Sequence, residues 1–222
     1  FTLPIILWVP ETRKPRTGDR VLERAFGNVR STLKEARHKH KNLFKYLIAY
    51  LLYNDGIETA IVMSGVFAAQ VLDMGQAEIV ACFLMIQFVA FFGALIFGRL
   101  GDAFSNKRVL AWSLSLWALI LLWAVFMRTK AEFWVAGVMI ALVLGGSQAL
   151  SRSLFGKLIP KGSEAQFYGF LSLSSKVSAT MGPLAYGISR QVTGSPRIAI
   201  LSLLLFFVLG QVILRGVDEP TA

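Results

Sequence analysis

The stretch from Leu43 to Leu72 reads LFKYLIAYLLYNDGIETAIVMSGVFAAQVL, an apolar segment with Asn54, Asp55 and Glu58 near its middle. It is long enough to cross a bilayer, which takes roughly 20 apolar residues. In a helix that begins with this segment, Asp55 lies ~16 Å along the axis, near the bilayer midplane. Each apolar residue favours insertion by about 0.3–0.6 kcal/mol, whereas a central acidic side chain costs about 2.5–3.5 kcal/mol. We therefore expect both carboxylates to face a protein interior or a watery cavity.

The composition is typical of a polytopic, all-α membrane protein. Hydrophobic residues make up 55% of the chain and charged residues 16%, against roughly 25% charged in ordinary soluble domains. The formal net charge of +10 does not indicate nucleic-acid binding, because the cations lie between apolar runs and not on one basic face. The single cysteine, Cys82, lies inside an apolar run, so no disulfide can form within the chain.

The chain divides into four parts. Residues 1–9 are expected to be the end of a preceding transmembrane helix in a longer protein, and residues 10–42 a basic cytoplasmic linker. The linker contains apolar residues at helical spacing, which fits either a surface amphipathic helix or a partly disordered connection. No metal site is expected from its two histidines, since they lack cysteine or carboxylate neighbours. Residues 43–214 form the transmembrane domain and residues 215–222 a cytoplasmic tail.

Six membrane spans are predicted in the transmembrane domain, at residues 43–72, 79–97, 109–127, 134–150, 168–188 and 198–214. Gln87 at the centre of the second span fits an interhelical hydrogen bond or a ligand contact. Gly145 and Gly146 in the fourth span favour close helix packing. In the fifth span, Lys176 is at a depth close to that of Asp55, and Pro183 is expected to kink or break the helix.

Lysine and arginine set the predicted orientation. Placing the basic linker in the cytoplasm puts 18 of the 23 Lys and Arg residues on that side and four on the other, with Lys176 inside the membrane. Because cytoplasmic loops carry an excess of cations, both ends of this chain are predicted to be cytoplasmic.

The turn between the second and third spans carries the segment GRLGDAFSNKR, residues 98–108. It resembles the loop motif of the major facilitator superfamily, a glycine followed four residues later by an aspartate and then by a basic cluster. The matching residues are Gly98, Asp102, Lys107 and Arg108. Ala103 and Ser105 depart from the usual pattern. The glycine lets helix ends approach, and the carboxylate can meet helix N-termini or cations across an interface in one conformation only.

Three segments extend the resemblance to the vacuole-effluxer branch of that superfamily, the autophagy-related amino-acid effluxers and their bacterial relatives. They are YNDGIETAI, GRLGD and SRSLFGKLIPKGSEAQFYGF, at residues 53–61, 98–102 and 151–170. The resemblance implies the C-terminal six-helix half of a facilitator. It further implies solute export or exchange by alternating access, an N-terminal six-helix half as partner and amino acids as possible cargo. No cofactor is expected.

The polar residues inside the spans are the candidate substrate and coupling site: Asn54, Asp55, Glu58, Gln87 and Lys176. Asp55 and Glu58, at positions i and i+3 of one helix, would sense protons or substrate. Movement of Lys176 relative to Asp55 would then load and unload a proton. A static ion pair between the first and fifth spans is the structural alternative.

Two other function classes compete with transport. An intramembrane protease would need its second aspartate in the membrane, whereas Asp102 lies at a membrane edge, and no other catalytic motif is present. The chain is therefore not expected to be an enzyme. A non-transporting membrane scaffold or sensor on the same fold is the stronger alternative. We expect a multi-pass protein of a bacterial inner membrane, in contact with lipid and a small solute, without nucleic acid.

Overall fold

The computed structural model describes residues 37–160, 162–178 and 180–220, without the side chains of residues 165 and 173–178. The predicted helix end at residues 1–9 and the linker up to residue 36 lie outside these ranges.

Eight α-helices of six or more residues follow one another in the described chain. They are α1 (Lys41–Val71), α2 (Gln76–Ala103), α3 (Asn106–Ala124), α4 (Lys130–Leu158), α5 (Glu164–Ser178), α6 (Met181–Thr193), α7 (Pro196–Leu201) and α8 (Leu204–Arg215). The all-α, polytopic membrane fold predicted from the sequence is confirmed.

Four helical stretches among the described residues are long and apolar enough to cross a bilayer. They are α2, α3, α4 and the run Pro196–Arg215, which joins α7 and α8. These stretches correspond to predicted spans two, three, four and six, although α3 ends at Ala124, three residues before the predicted end of span three. The first predicted span lies in α1, which has 31 residues and whose polar middle lowers its hydropathy. The fifth is divided between α5 and α6, so the number of six spans stays a prediction.

The fifth predicted span consists of two helices, and Pro183 lies near the start of the second. Helix α5 ends at Ser178 and α6 begins at Met181, which makes Pro183 the third residue of α6. The first N–H groups of a helix have no acceptor within that helix, so the missing N–H of a proline costs nothing there. The break expected from Pro183 lies before Met181, and Pro183 itself is in the first turn of α6.

Local sequence signals set other helix ends. Thr129 and Glu132 form a reciprocal capping box at the start of α4. Gly194, with φ of 68°, ends α6 in the left-handed conformation that glycine adopts without strain. Pro196 opens α7 in the first turn, a position that suits its restricted φ.

Among the described helices, α2 and α4 make the most extensive contact with each other. A Cβ added to Gly93 of α2 would overlap the backbone of Leu142, and one added to Gly145 of α4 would overlap the carbonyl of Ala90. Gly146 likewise faces the ring of Phe97. Small residues therefore bring these two backbones into contact, as expected from the glycines of the fourth span.

Helix α1 packs against α8 on one side and contacts α4, α5 and α6 on others. Gly210 of α8 lies against Tyr53, and Gly56 of α1 lies against Phe206 and Phe207. Trp117 of α3 stacks on Phe207, with ring centroids 5.7 Å apart. Tyr53 and Gly56, on either side of Asp55, are thereby packed against α8.

Gly93→Ala should destabilise the bundle, because its methyl group would push α2 and α4 apart. We expect a loss of roughly 1–3 kcal/mol, measured as a lower melting temperature of the detergent-solubilised full-length protein. Gly98→Ala on the same helix is the matched control, since a Cβ there meets nothing within 4 Å. Equal melting temperatures for the two variants would contradict the close contact.

Candidate functional site

Three tyrosines mark one side of α1 as a polar contact surface. The Tyr46 hydroxyl donates to the carbonyl of Ser151 at 2.6 Å, and the Tyr53 hydroxyl is 2.7 Å from Ser151 Oγ. Both rings are buried. Tyr50 lies between them and meets the Tyr53 ring edge-on, with centroids 5.5 Å apart. These contacts bind α1 to α4 through polar atoms in an apolar bundle.

A cavity of about 150 Å³ opens beside this surface, between α1 and α4. Its lining residues are Tyr50, Tyr53, Asn54, Ile57, Glu58, Ser147, Gln148, Ser151 and Arg152. Hydroxyl, amide, carboxylate and guanidinium groups are all represented, so the cavity can accept and donate hydrogen bonds.

The cavity carries one charge of each sign. Glu58 comes from α1 and Arg152 from α4, and both side chains are exposed. The cavity can therefore contact both positively and negatively charged groups of a ligand.

Asp55 has a different environment from Glu58. It is 1% exposed and is not among the residues that line the cavity. Its Oδ2 accepts the backbone N–H of Gly182 at 2.7 Å, so the carboxylate binds the first turn of α6, where the helix dipole is positive. In the described part of the chain Oδ1 has no hydrogen-bond partner.

Gly182 permits this contact because it has no side chain. A Cβ at this position would overlap Thr59 Oγ1 and would lie 3.1 Å from the carbonyl oxygen of Asp55. The break before α6 frees the Gly182 N–H, and the missing Cβ lets α6 approach α1. Asp55 therefore connects α1 to the second part of the broken fifth span.

The remaining predicted site residues lie elsewhere. Gln87 is exposed on α2 beside Leu84 and Phe88 and does not line the cavity. Lys176 belongs to α5, which packs on α1, but its side chain lies outside the described atoms. A pairing of Lys176 with Asp55 thus stays a prediction. Among the predicted residues, Asn54 and Glu58 share the cavity.

The loop motif spans the turn between α2 and α3. A Cβ added at Gly98 would meet nothing within 4 Å. The side chains of Asp102 and Arg108 are exposed. Lys107 reaches the end of α8, where its Nζ donates to the carbonyl of Arg215 at 2.8 Å. Gly98, Asp102 and Arg108 are therefore available at the surface, whereas Lys107 is used within this half.

Sequence reasoning missed several cavity residues: Tyr50, Tyr53, Ser147, Gln148, Ser151 and Arg152. A signal existed on α1, because its tyrosines recur at helical spacing beside Asn54. On α4 the polar residues follow Gly145 and Gly146, a pattern that favours helix packing as strongly as it favours a binding site.

Apolar helices of membrane-spanning length around buried polar groups define an integral, multi-pass membrane protein. The family model described as "Vacuole effluxer Atg22 like" matches residues 1–222. The chain belongs to this family.

Individual relatives agree with the family match. The chain is 34% identical over 222 residues to the uncharacterized MFS-type transporter YxiO of Bacillus subtilis. The matched region covers 100% of this chain and 51% of that protein. It is 26% identical over 212 residues to autophagy-related protein 22 of Kluyveromyces lactis, covering 89% of this chain and 42% of that protein. The corresponding protein of Coccidioides immitis is 28% identical over 251 residues, with 99% and 41% covered. The chain thus spans about half the length of these relatives, or less.

Asp55→Ala should be less stable than Asp55→Asn, because asparagine keeps an oxygen that accepts the Gly182 N–H and alanine leaves that donor buried and unpaired. The expected difference is about 1–3 kcal/mol in the free energy of unfolding. It should appear as a lower melting temperature of the purified Asp55→Ala variant than of the Asp55→Asn variant. The pair Asp102→Ala and Asp102→Asn, at an exposed aspartate, should show no such difference. Equal stability of the two Asp55 variants would contradict a structural role for this hydrogen bond.

Proposed function

We propose that the chain forms one half of a secondary transporter that moves a small solute across a membrane by alternating access. The cavity between α1 and α4 carries the proposal, since it is polar, of suitable size for a small solute and lies in a bundle that contains helices apolar enough for a bilayer. In transporters of this kind the substrate lies near the midplane between repeats. Asn54 and Glu58, which line the cavity, come from the middle of the first predicted span.

The substrate class that fits the cavity is a zwitterionic amino acid. Arg152 would bind the carboxylate of the solute in a bidentate manner, and Glu58 would bind its ammonium group. Tyr50, Tyr53 and Gln148 supply neutral hydrogen-bonding groups around these charges. Family membership supports an effluxer, and the plasma membrane of a bacterium is the location that we propose.

Asp55 is our candidate for proton coupling, through its contact with α6. An ionised carboxylate binds the positive end of α6 more strongly than a protonated one. Protonation would therefore loosen α6 from α1, and loss of the proton would restore the contact. This links a proton to the position of the broken fifth span, which is a means of shifting a two-state equilibrium.

Substrate recognition can be tested with the full-length protein in proteoliposomes and radiolabelled amino acids. Arg152→Met and Glu58→Gln should each reduce uptake on the order of tenfold, the loss expected for one charge-assisted hydrogen bond. Arg128→Met and Asp73→Asn remove the same charges at exposed positions outside the cavity and should leave uptake unchanged. A zwitterion should compete better than its decarboxylated amine or its deaminated acid. Absence of uptake for every solute tested would favour the scaffold alternative.

Proton coupling predicts a change in the pH profile of transport. Asp55→Asn cannot take up or release a proton, so its uptake should no longer vary with pH, and an imposed proton gradient should not drive accumulation. Lys176→Met should alter the same profile if its side chain approaches Asp55. The assay is initial uptake across a range of pH, compared with Asp73→Asn. Full, pH-sensitive uptake in both the Asp55 and Lys176 variants would refute the coupling role.

A further inference from the structure

The tail that follows α8 does not leave the bundle but crosses the ends of its helices. Lys45 Nζ donates to the carbonyl of Gly216 at 3.2 Å. The backbone N–H of Asp218 donates to Asn42 Oδ1 at 2.8 Å, and the Asn42 amide donates back to the Asp218 carbonyl. These contacts fix the path of residues 216–218 against the start of α1.

The side chain of the next residue, Glu219, contacts the start of α3. Its Oε2 accepts the Ser105 hydroxyl at 2.6 Å and the backbone N–H of Lys107 at 3.0 Å. Its Oε1 accepts the backbone N–H of Asn106 at 3.3 Å and the ammonium of Lys157 at 2.8 Å. The Glu219 side chain is only 12% exposed. One carboxylate thus joins the start of α3 to the end of α4.

These bonds complete the N-terminal cap of α3. The first three residues of the helix have N–H groups without acceptors in the helix itself. Ser105 Oγ accepts the third, from Arg108, at 3.3 Å, and Glu219 accepts the first two. A carboxylate also suits the positive end of the helix dipole. One acceptor of this cap, Ser105, therefore lies in the loop motif itself. The other, Glu219, lies more than 100 positions later in the chain.

The charge of Glu219 is stable over the physiological pH range. Burial alone would raise the pKa of this carboxyl, but the Lys107 N–H, the Lys157 ammonium and the Ser105 hydroxyl outweigh it and lower the pKa to about 2. A lowered pKa in the folded protein adds stability that is present above the ordinary range of glutamate and is lost as the pH falls towards 2. The contact is consequently constant near neutral pH and is not a pH switch.

We propose that Glu219 is a positioning residue of the loop motif: by capping α3 it fixes the turn between α2 and α3, and with it the direction in which Asp102 at the end of α2 and Arg108 at the start of α3 face the other half of the transporter. Both side chains are exposed, whereas Lys107 is held by the Arg215 carbonyl. Gly101 allows the end of α2 to contact the Asn106 side chain, whose amide donates to Ser153 Oγ at 2.8 Å. The turn thus rests on α3, α4 and the tail together. This inference rests on the proposed function, because the other half is what the motif would meet.

The cap is tested by hydrogen–deuterium exchange on the full-length protein. Glu219→Gln and Glu219→Ala should speed exchange of the amides at the start of α3 on the order of tenfold, as expected for loss of a hydrogen bond to a charged group. Asp218→Asn is the matched control, because it removes an adjacent charge whose side chain is exposed. The effect of Glu219→Gln should be the same at about pH 6 and pH 8. Unchanged exchange in both Glu219 variants would overturn the inference.

The positioning role needs a readout that a simple cap would not change. We choose the reaction of a cysteine at Gln148, in the cavity, with a membrane-impermeant maleimide, in a Cys82→Ala background. Rates are compared in right-side-out and inverted vesicles. Glu219→Gln should shift the ratio of the two rates roughly twofold or more, and Asp218→Asn should not. Faster exchange at α3 with an unchanged ratio would overturn the positioning role. Labelling from one side only, in every variant and the parent, would instead overturn the proposed transport function and leave the cap intact.

Discussion

A carboxylate buried in an apolar bundle must find a donor, and Asp55 finds the backbone of another helix. Its Oδ2 accepts the Gly182 N–H, a donor that exists because the fifth predicted span is interrupted before α6. In a bilayer no water replaces a missing partner, so the break gives Oδ2 a donor and the acid gives the freed N–H an acceptor. The placement of α6 beside α1 depends on this pair.

Two polar sides of α1 follow from the same short sequence. Residues three apart on a helix are separated by about 60° of rotation, and this angle is enough to turn Asp55 towards α6 and Glu58 into the cavity. One acid therefore holds the bundle together, while the other remains open to a solute. Their i, i+3 spacing suggested a joint role, because such residues are neighbours on a helix surface. In the bundle, however, α6 covers Asp55 and leaves Glu58 in the cavity.

Contacts between distant residues explain what sequence reasoning could not reach. Ser151 became a partner of Tyr46 and Tyr53 through the packing of α4 on α1, and Glu219 reached α3 through the path of the tail. Neither pairing has a local pattern, since the residues lie about 100 positions apart. Pro183 and Gly145, by contrast, act through their own backbone geometry, and their effects were foreseen.

The sequence by itself determined the membrane character, the helical class, the approximate limits of four spans and the family resemblance, because hydropathy, proline, glycine and charge act locally along the chain. Only the tertiary structure decided which polar groups share a cavity, which acid is enclosed, and what caps the loop motif. Those outcomes depend on helix rotation and on contacts between remote segments, and both are set by the packing of the whole bundle.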